Sequence, residues 1–445
     1  MDAPVNAART APTSSASLCA LHDAGSCRSC PYLAVPLPAQ LERKQTRIAA
    51  LLADGASPVP AAAWQPPVAS APERFRNKAK MVVTGSVAHP VLGVLGPDRR
   101  GVDLRTCPLH VPEIEAALPV LARTITELSL TPYDVSRRRG ELKYVLVTAS
   151  PDGDLMVRFV LRSHRHVDAL RSALPRLQRA LPTLAVLSVN IQPVHQAIIE
   201  GPEEIVLTRE DRLLMRLHLP ELAASTKDAP AAGELRAETR ELPLYLPTRS
   251  FFQTNTAIAE RLYATARRWA DEALAVPGAA STAPQTPLQV WDLFCGVGGF
   301  ALALAGPGRR VLGVEVSAPA IAGARAAARL MRLDDRQVRF ESGDASVLDP
   351  GSGPAPDLLV VNPPRRGIGA ELAERIERSG VQHVLYSSCN PTSLATDLAR
   401  MPSLEPYRAR LFDMFPHTDH AEVLVALRRS PGSVRRPDAD RARMN

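Results

Sequence analysis

The pattern of apolar and polar positions changes character twice along the chain. Over residues 39–53 it has helical spacing, with Leu41, Ile48, Leu51 and Leu52 on one side and Glu42, Arg43, Lys44 and Arg47 on the other. From residue 75 to about residue 246, short apolar runs at 80–83, 142–148 and 155–161 predict strands, and 111–128 and 167–180 predict amphipathic helices. That mixture predicts an α+β domain. After Pro247 a helix over 257–274 leads to strands at 290–294, 311–316, 358–361 and 383–387, separated by Ala-rich helical segments. Apolar strands without polar alternation, each followed by a helix, indicate a parallel sheet buried on both faces. The expected fold class is α/β: a doubly wound, Rossmann-like domain preceded by an α+β middle domain and a small cysteine-bearing lobe.

Proline clusters at 31–38, 58–72 and 277–287 and an Ala-rich stretch at 223–233 read as linkers or surface insertions. The resulting division is a disordered tail at 1–18, a cysteine lobe at 19–60 completed by Cys107, and a middle domain at 61–246. The doubly wound domain at 247–430 and a basic tail at 431–445 follow.

Composition narrows the class. The chain has 445 residues, 45% hydrophobic, which excludes wholesale disorder. The start of the chain does not read as a secretory signal, and no apolar run approaches the ~18 residues needed to cross a bilayer, so a cytoplasmic protein without membrane partners is expected. Six cysteines are too few for a disulfide scaffold. The 53 Lys and Arg against 46 Asp and Glu leave a net charge of +7, which favours a polyanionic partner. Arg74, Arg76, Lys78 and Lys80 alternate along an expected strand, and Arg137, Arg138, Arg139 and Lys143 form a second basic run.

The chemistry concentrates in three places. In Val290-Trp-Asp-Leu-Phe-Cys-Gly-Val-Gly-Gly-Phe300, Gly296, Gly298 and Gly299 sit where a strand gives way to a helix, so a ligand can approach the backbone amides. Glu315 ends the next strand roughly twenty residues on, where an acidic side chain accepts from ribose hydroxyls. The loop lacks the full G-x-G-x-x-G spacing, which suits a nucleoside without pyrophosphate, such as S-adenosylmethionine. Asp344 closes the following strand, either to reach an adenine or as a helix cap.

Second, Cys389 follows the 383–387 strand and precedes a helix at Pro391, whose N-terminal dipole favours thiolate. Glu422 opens a later strand, and the Asn362-Pro-Pro-Arg-Arg-Gly367 loop ends another strand on the same edge. Third, Cys19, Cys27 and Cys30 with the distant Cys107 supply four thiolates that suit either a structural zinc or a [4Fe-4S] cluster.

These segments together resemble the RNA uracil-C5 methyltransferases. The resemblance runs through Phe251-Phe-Gln-Thr-Asn255, the glycine loop, Asn362 to Gly367, Ser388-Cys389-Asn390-Pro391 and Phe412-Asp-Met-Phe-Pro-His-Thr-Asp-His-Ala-Glu422. It extends back through Arg76-Asn-Lys-Ala-Lys80, Arg139-Gly-Glu-Leu-Lys-Tyr144 and Asn190-Ile-Gln-Pro-Val-His195 to Cys19. It implies Cys389 as nucleophile, Glu422 as base, and Gln253, Phe294, Glu315 and Asn362 as holders of S-adenosylmethionine. It also implies a [4Fe-4S] cluster on Cys19, Cys27, Cys30 and Cys107, so that the small lobe becomes an iron-sulfur lobe.

The expected substrate is RNA with the target uridine unstacked or in a loop, because a uracil inside a stem cannot present C6 to a thiolate. Many members of the family begin with an extra β-barrel module, for which the stretch ahead of Cys19 leaves no room. That feature resembles the branch acting on 23S ribosomal RNA, and a monomer is expected. The alternatives are the same chemistry on another ribosomal site or on transfer RNA, an amino-group methyltransferase, and a non-catalytic iron-sulfur RNA-binding protein. The amino-group rival has no use for Cys389, and its Asn-Pro-Pro loop usually continues with an aromatic where this chain has Arg365.

Overall fold

The computed structural model describes residues 18–196, 198–221, 239–275, 286–347, 350 and 354–431. Nearly all of the expected N-terminal tail, the Ala-rich stretch, most of the 277–287 proline cluster and nearly all of the basic tail lie outside the described residues.

The middle of the chain builds a seven-stranded sheet from β1 (Lys78–Gly85), β2 (Pro90–Leu95), β3 (Gly101–Asp103), β4 (Leu142–Ala149), β5 (Leu155–Leu161), β6 (Leu184–Ile191) and β7 (Glu203–Val206). Their order is β3-β2-β1-β4-β5-β6-β7, antiparallel throughout except for β5 beside β6. Helices Pro112–Glu127 and Val167–Ala180 cover one face with Ile114, Leu118, Leu121, Leu170 and Leu177. Every residue of β5 is buried: on its other face Met156 packs against a hairpin of β8 (Arg212–Pro220) and β9 (Thr239–Pro247), and Arg158 pairs with Glu200 and Glu204. Alternation of Leu213, Met215, Leu217 and Leu219 along β8 gives that hairpin an apolar face. This face also meets the helix Thr256–Ala273.

The C-terminal sheet contains β10 (Leu288–Leu293), β11 (Arg309–Glu315), β12 (Val338–Ser342), β13 (Leu358–Val361), β14 (His383–Ser388), β15 (Leu404–Phe412) and β16 (Glu422–Arg429). Their order is β12-β11-β10-β13-β14-β16-β15, with β10 to β14 parallel and β16 antiparallel to both neighbours. Helices Thr256–Ala273, Gly299–Leu304 and Ala318–Leu330 pack on one face, and Ala370–Arg378 and Pro391–Leu398 on the other. The strand order reverses between β10 and β13, where doubly wound sheets open a ligand crevice.

Helix Leu37–Ala53 joins the second of these layers rather than standing apart. Its buried stripe is Gln40, Lys44, Ile48 and Leu52, so Lys44, expected on the solvated side, points inward. The reason is an ion pair: Lys44 Nζ donates to Asp413 Oδ1 at 2.6 Å, and both side chains are buried.

One buried carboxylate ties three of these segments together. Asp397 accepts from the Tyr386 hydroxyl at 2.6 Å and from the Ile368 amide at 2.9 Å, tying the end of the Asn362 to Gly367 loop to β14 and to the helix after Cys389. Gly367, at φ 83°, lies so near Asp397 that a Cβ would fall 2.3 Å from its oxygen.

Candidate active site

The residues singled out from the sequence come together on one cleft of about 1150 Å³ between the two sheets. The four cysteines, Gln253, Phe294, Glu315, Asn362, Cys389 and Glu422 all line it.

The glycine loop forms one end. Strand β10 stops at Leu293, Phe294 turns the chain at φ 64°, and Gly296 follows at φ 54° with open space where a Cβ would stand. Glu315 arches over this turn, its carboxylate accepting from the Gly296 amide at 3.3 Å and the Ser317 amide at 3.0 Å. Val316 beside it is 72% exposed, an apolar platform in the cleft wall. Asp344 caps the next turn, accepting from the Ser346 amide at 2.9 Å and hydroxyl at 2.7 Å, and it also lines the cleft edge. Gln253 is buried, and its carbonyl accepts from Asn77 Nδ2 at 3.1 Å, which seats the Phe251 to Asn255 segment on the start of β1.

Cys389 and Glu422 form the other end. Strand β16 runs against β14 with Ser388 opposite Val423, so the next step along both strands sets Cys389 level with Glu422. Glu422 is buried, its carboxylate accepts from the Ser387 hydroxyl, and burial pushes it up to about 7 against that hydrogen bond. Cys389 is half-buried at the mouth of helix Pro391–Leu398, which Asn390 caps by accepting from the Thr392 amide at 3.2 Å. The helix start was expected to favour thiolate. Burial and then Glu422 instead push the thiol up, and the Arg365 guanidinium beside it pulls the other way. Arg365 is held through its carbonyl by Asn390 Nδ2 at 2.8 Å and lies 3.1 Å from His420 Nδ1.

Two buried groups under this site were not singled out from the sequence. Asp292, near the end of β10, accepts from the Ala301 amide at 2.8 Å, and burial pushes it up to about 8. An aspartate inside an apolar strand is the sequence signal for it. Tyr263 stands against Gly299, where a Cβ would meet its hydroxyl at 2.4 Å, and burial raises its pKa. Nothing in the helical pattern marks that tyrosine as different from its apolar neighbours.

Between the two ends lie the basic residues and the cysteines. Arg76, Lys78 and Lys80 face the cleft, whereas Arg74 turns away at φ 53° and pairs with Glu115 at 3.2 Å. Arg137, Arg138 and Arg139 are exposed, but Lys143 is buried, donating to Gln192 and to the Val194 carbonyl at 2.7 Å. Lys143 is thus a structural pin and not a phosphate contact. Burial and then the sulfurs of Cys107, Cys27 and Cys19 push the Cys30 thiol up to about 12. The four thiols are therefore within electrostatic reach of one another. Among the described residues, no three His, Cys, Asp or Glu side chains stand close enough together to hold a single metal ion.

The family model described as tRNA (Uracil-5-)-methyltransferase matches residues 355–430. The chain is 45% identical over 412 residues to the 23S rRNA (uracil(747)-C(5))-methyltransferase RlmC of Pectobacterium carotovorum, covering 92% of this chain and 99% of that one. It is 47% identical over 415 residues to the RlmC of Halothiobacillus neapolitanus, covering 92% and 98%. Among solved structures it resembles the Pyrococcus abyssi tRNA (uracil-54, C5)-methyltransferase in complex with S-adenosyl-L-homocysteine. The TM-score is 0.67 at 22% identity, over 89% of this chain and 85% of that one, a likeness of α/β methyltransferase fold. Near-complete coverage at this identity decides the assignment: the chain belongs to the RlmC family of RNA uracil-C5 methyltransferases.

Proposed function

We propose that this chain methylates C5 of a uridine in 23S ribosomal RNA, with Cys389 as nucleophile and Glu422 as base. The observation that carries the reading is the pairing of those two side chains at one edge of the sheet, level with each other across β14 and β16. The names of the 45–47% identical relatives support the substrate class.

Uracil C5 is a poor nucleophile, so catalysis must first break the ring's conjugation. The Cys389 sulfur ionises beside Arg365 and adds to C6, forming a C6–S bond while the C5–C6 π electrons move onto O4 as an enolate. S-adenosylmethionine, when bound, supplies an electrophilic methyl group on its sulfonium. C5 takes that methyl as the methyl–sulfonium bond breaks. Glu422 then removes the remaining C5 hydrogen as a proton, the C5–C6 double bond re-forms, and the Cys389 thiolate departs.

The residues present fit S-adenosylmethionine. Gln253, Phe294, Glu315 and Asn362 would hold it, with Glu315 oriented by two backbone amides towards ribose hydroxyls and the open space before Gly296 receiving the chain atoms. Arg76, Lys78 and Lys80 would meet RNA phosphates at the cleft wall. A ribosomal substrate puts the protein in the cytoplasm, where it would act as a monomer. Among the described residues no helix is long and apolar enough to cross a membrane.

An all-sulfur, partly shielded donor set at Cys19, Cys27, Cys30 and Cys107 suits the chemistry of a [4Fe-4S] cluster, the group that the family resemblance implies. The cluster would be structural, because methyl transfer moves no net electrons. Cys107 would join the N-terminal lobe to the middle sheet. We expect the Cys27→Ser, Cys30→Ser double variant to lose iron and at least one of folding stability and RNA affinity. Unchanged iron content, melting temperature and RNA binding would remove the cluster from the account.

Glu422 gives a pH test. Its folded pKa of about 7 lies above the usual 4.5, so its contribution to stability is fully present below 4.5 and lost as pH rises through about 7. Glu422→Gln should therefore match the wild type near pH 4. By pH 8 it should exceed it by roughly 3 kcal/mol in chemical denaturation. The same variant should stall with ordinary RNA as a methylated covalent adduct. The overall reading is tested by mass spectrometry of ribosomal RNA from cells with and without the gene. One 5-methyluridine in 23S RNA should vanish, and a loss in transfer RNA instead would overturn the substrate assignment.

A further inference from the structure

Residues 413–421 connect β15 to β16 and carry Phe415, Thr418 and His420 into the cleft. This loop is held from behind by helix Leu37–Ala53 and the segment before it. Lys44 Nζ donates to Asp413 Oδ1 at 2.6 Å and to the Phe415 carbonyl at 2.9 Å. Gln40 Oε1 accepts from the His417 amide at 2.9 Å, and its Nε2 donates to the Tyr32 and Val35 carbonyls and lies 3.2 Å from His417 Nδ1.

The Pro72 carbonyl sets the imidazole tautomer, because Nε2–H must donate to it at 2.7 Å, and Nδ1 is left facing the Gln40 amide. His417 itself sits at φ 63°, a left-handed conformation that a non-glycine residue keeps only when its surroundings impose it. Tyr32 adds its own amide to the His417 carbonyl at 3.1 Å and its hydroxyl to Asp419 at 2.6 Å.

On the cleft side the same loop reaches the nucleophile. The His420 ring packs edge-on against Phe415, with centroids 6.2 Å apart, and lies 3.1 Å from the Arg365 guanidinium, the cation beside Cys389. His420 is thus two contacts away from the thiol, and the buried Lys44 behind the loop reaches it through Phe415.

We propose that Gln40, Lys44 and His417 are positioning residues for methyl transfer: they lock the 413–421 loop so that Phe415 and His420 keep Arg365 against Cys389. A buried ion pair is a poor source of net stability, and here Lys44 bonds both Asp413 and the Phe415 carbonyl, so it fixes two points of the loop. Misplacing a reacting group by about 1 Å can cost on the order of a hundredfold in rate. The inference rests on Cys389 being the nucleophile.

The test uses the full chain and RNA bearing 5-fluorouridine at the target, with S-adenosylmethionine, at saturating RNA in a single turnover. Gln40→Ala should form the covalent conjugate at least about tenfold more slowly than wild type. Its RNA dissociation constant should stay within about twofold, and its iron content should match. Lys44→Met leaves Asp413 buried and uncompensated, so the double variant Lys44→Met, Asp413→Leu, which removes both charges, is measured beside it and should be slow as well. Conjugation at the wild-type rate in these variants overturns the inference alone, as does slowing that merely follows a loss of folded protein or of RNA affinity. No conjugate with wild type overturns the nucleophile assignment and this inference with it.

Discussion

The antiparallel run of β16 beside β14 is the constraint on which the site depends. Parallel strands bring their carboxyl ends to one edge of the sheet, and an antiparallel neighbour brings its amino end there. Cys389 therefore leaves β14 at the place where Glu422 enters β16, although the two are far apart in sequence. A register slip of one residue would turn Glu422 to the opposite face. Such a slip would also break the hydrogen bond from the Ser387 hydroxyl to the Glu422 carboxylate.

The same placement sets the electrostatics. Removing Glu422 from water raises its pKa towards neutrality, which suits the proposed role of a base that takes and releases one proton. Its neighbour Cys389 is penalised by burial too, and Arg365 is the compensating charge. The thiol is thus not activated by a helix start alone. Its ionisation depends on a guanidinium carried by the Asn362 to Gly367 loop, which Asp397 in turn anchors.

Much of this was legible in the sequence because the elements are locally consistent. The helices expected at 111–128 and 167–180 appear as Pro112–Glu127 and Val167–Ala180, and the strands at 155–161 and 358–361 appear with those bounds. Glycine at strand-to-helix turns and polar groups at strand ends have local signatures, which mark Gly296, Glu315, Cys389 and Glu422, whereas Gln253 and Phe294 come from the family resemblance alone and Tyr263 is missed. Lys44 and Lys143 could not be read correctly, since a lysine on a periodic pattern signals solvent and the partners that draw it inward, Asp413 and Gln192, are remote in sequence. The same holds for Arg74, whose backbone turn lifts it out of the basic row.

The central claim is that a thiol at residue 389 becomes covalently joined to the pyrimidine during turnover. The direct measurement is to react the wild-type chain with S-adenosylmethionine and RNA in which the target uridine carries fluorine at C5, then digest the product and map the cross-linked peptide by mass spectrometry. Fluorine cannot leave as a cation, so the account predicts a stable conjugate at Cys389 that carries the transferred methyl group. Efficient methylation of ordinary RNA with no conjugate, or a conjugate at another residue, would contradict it.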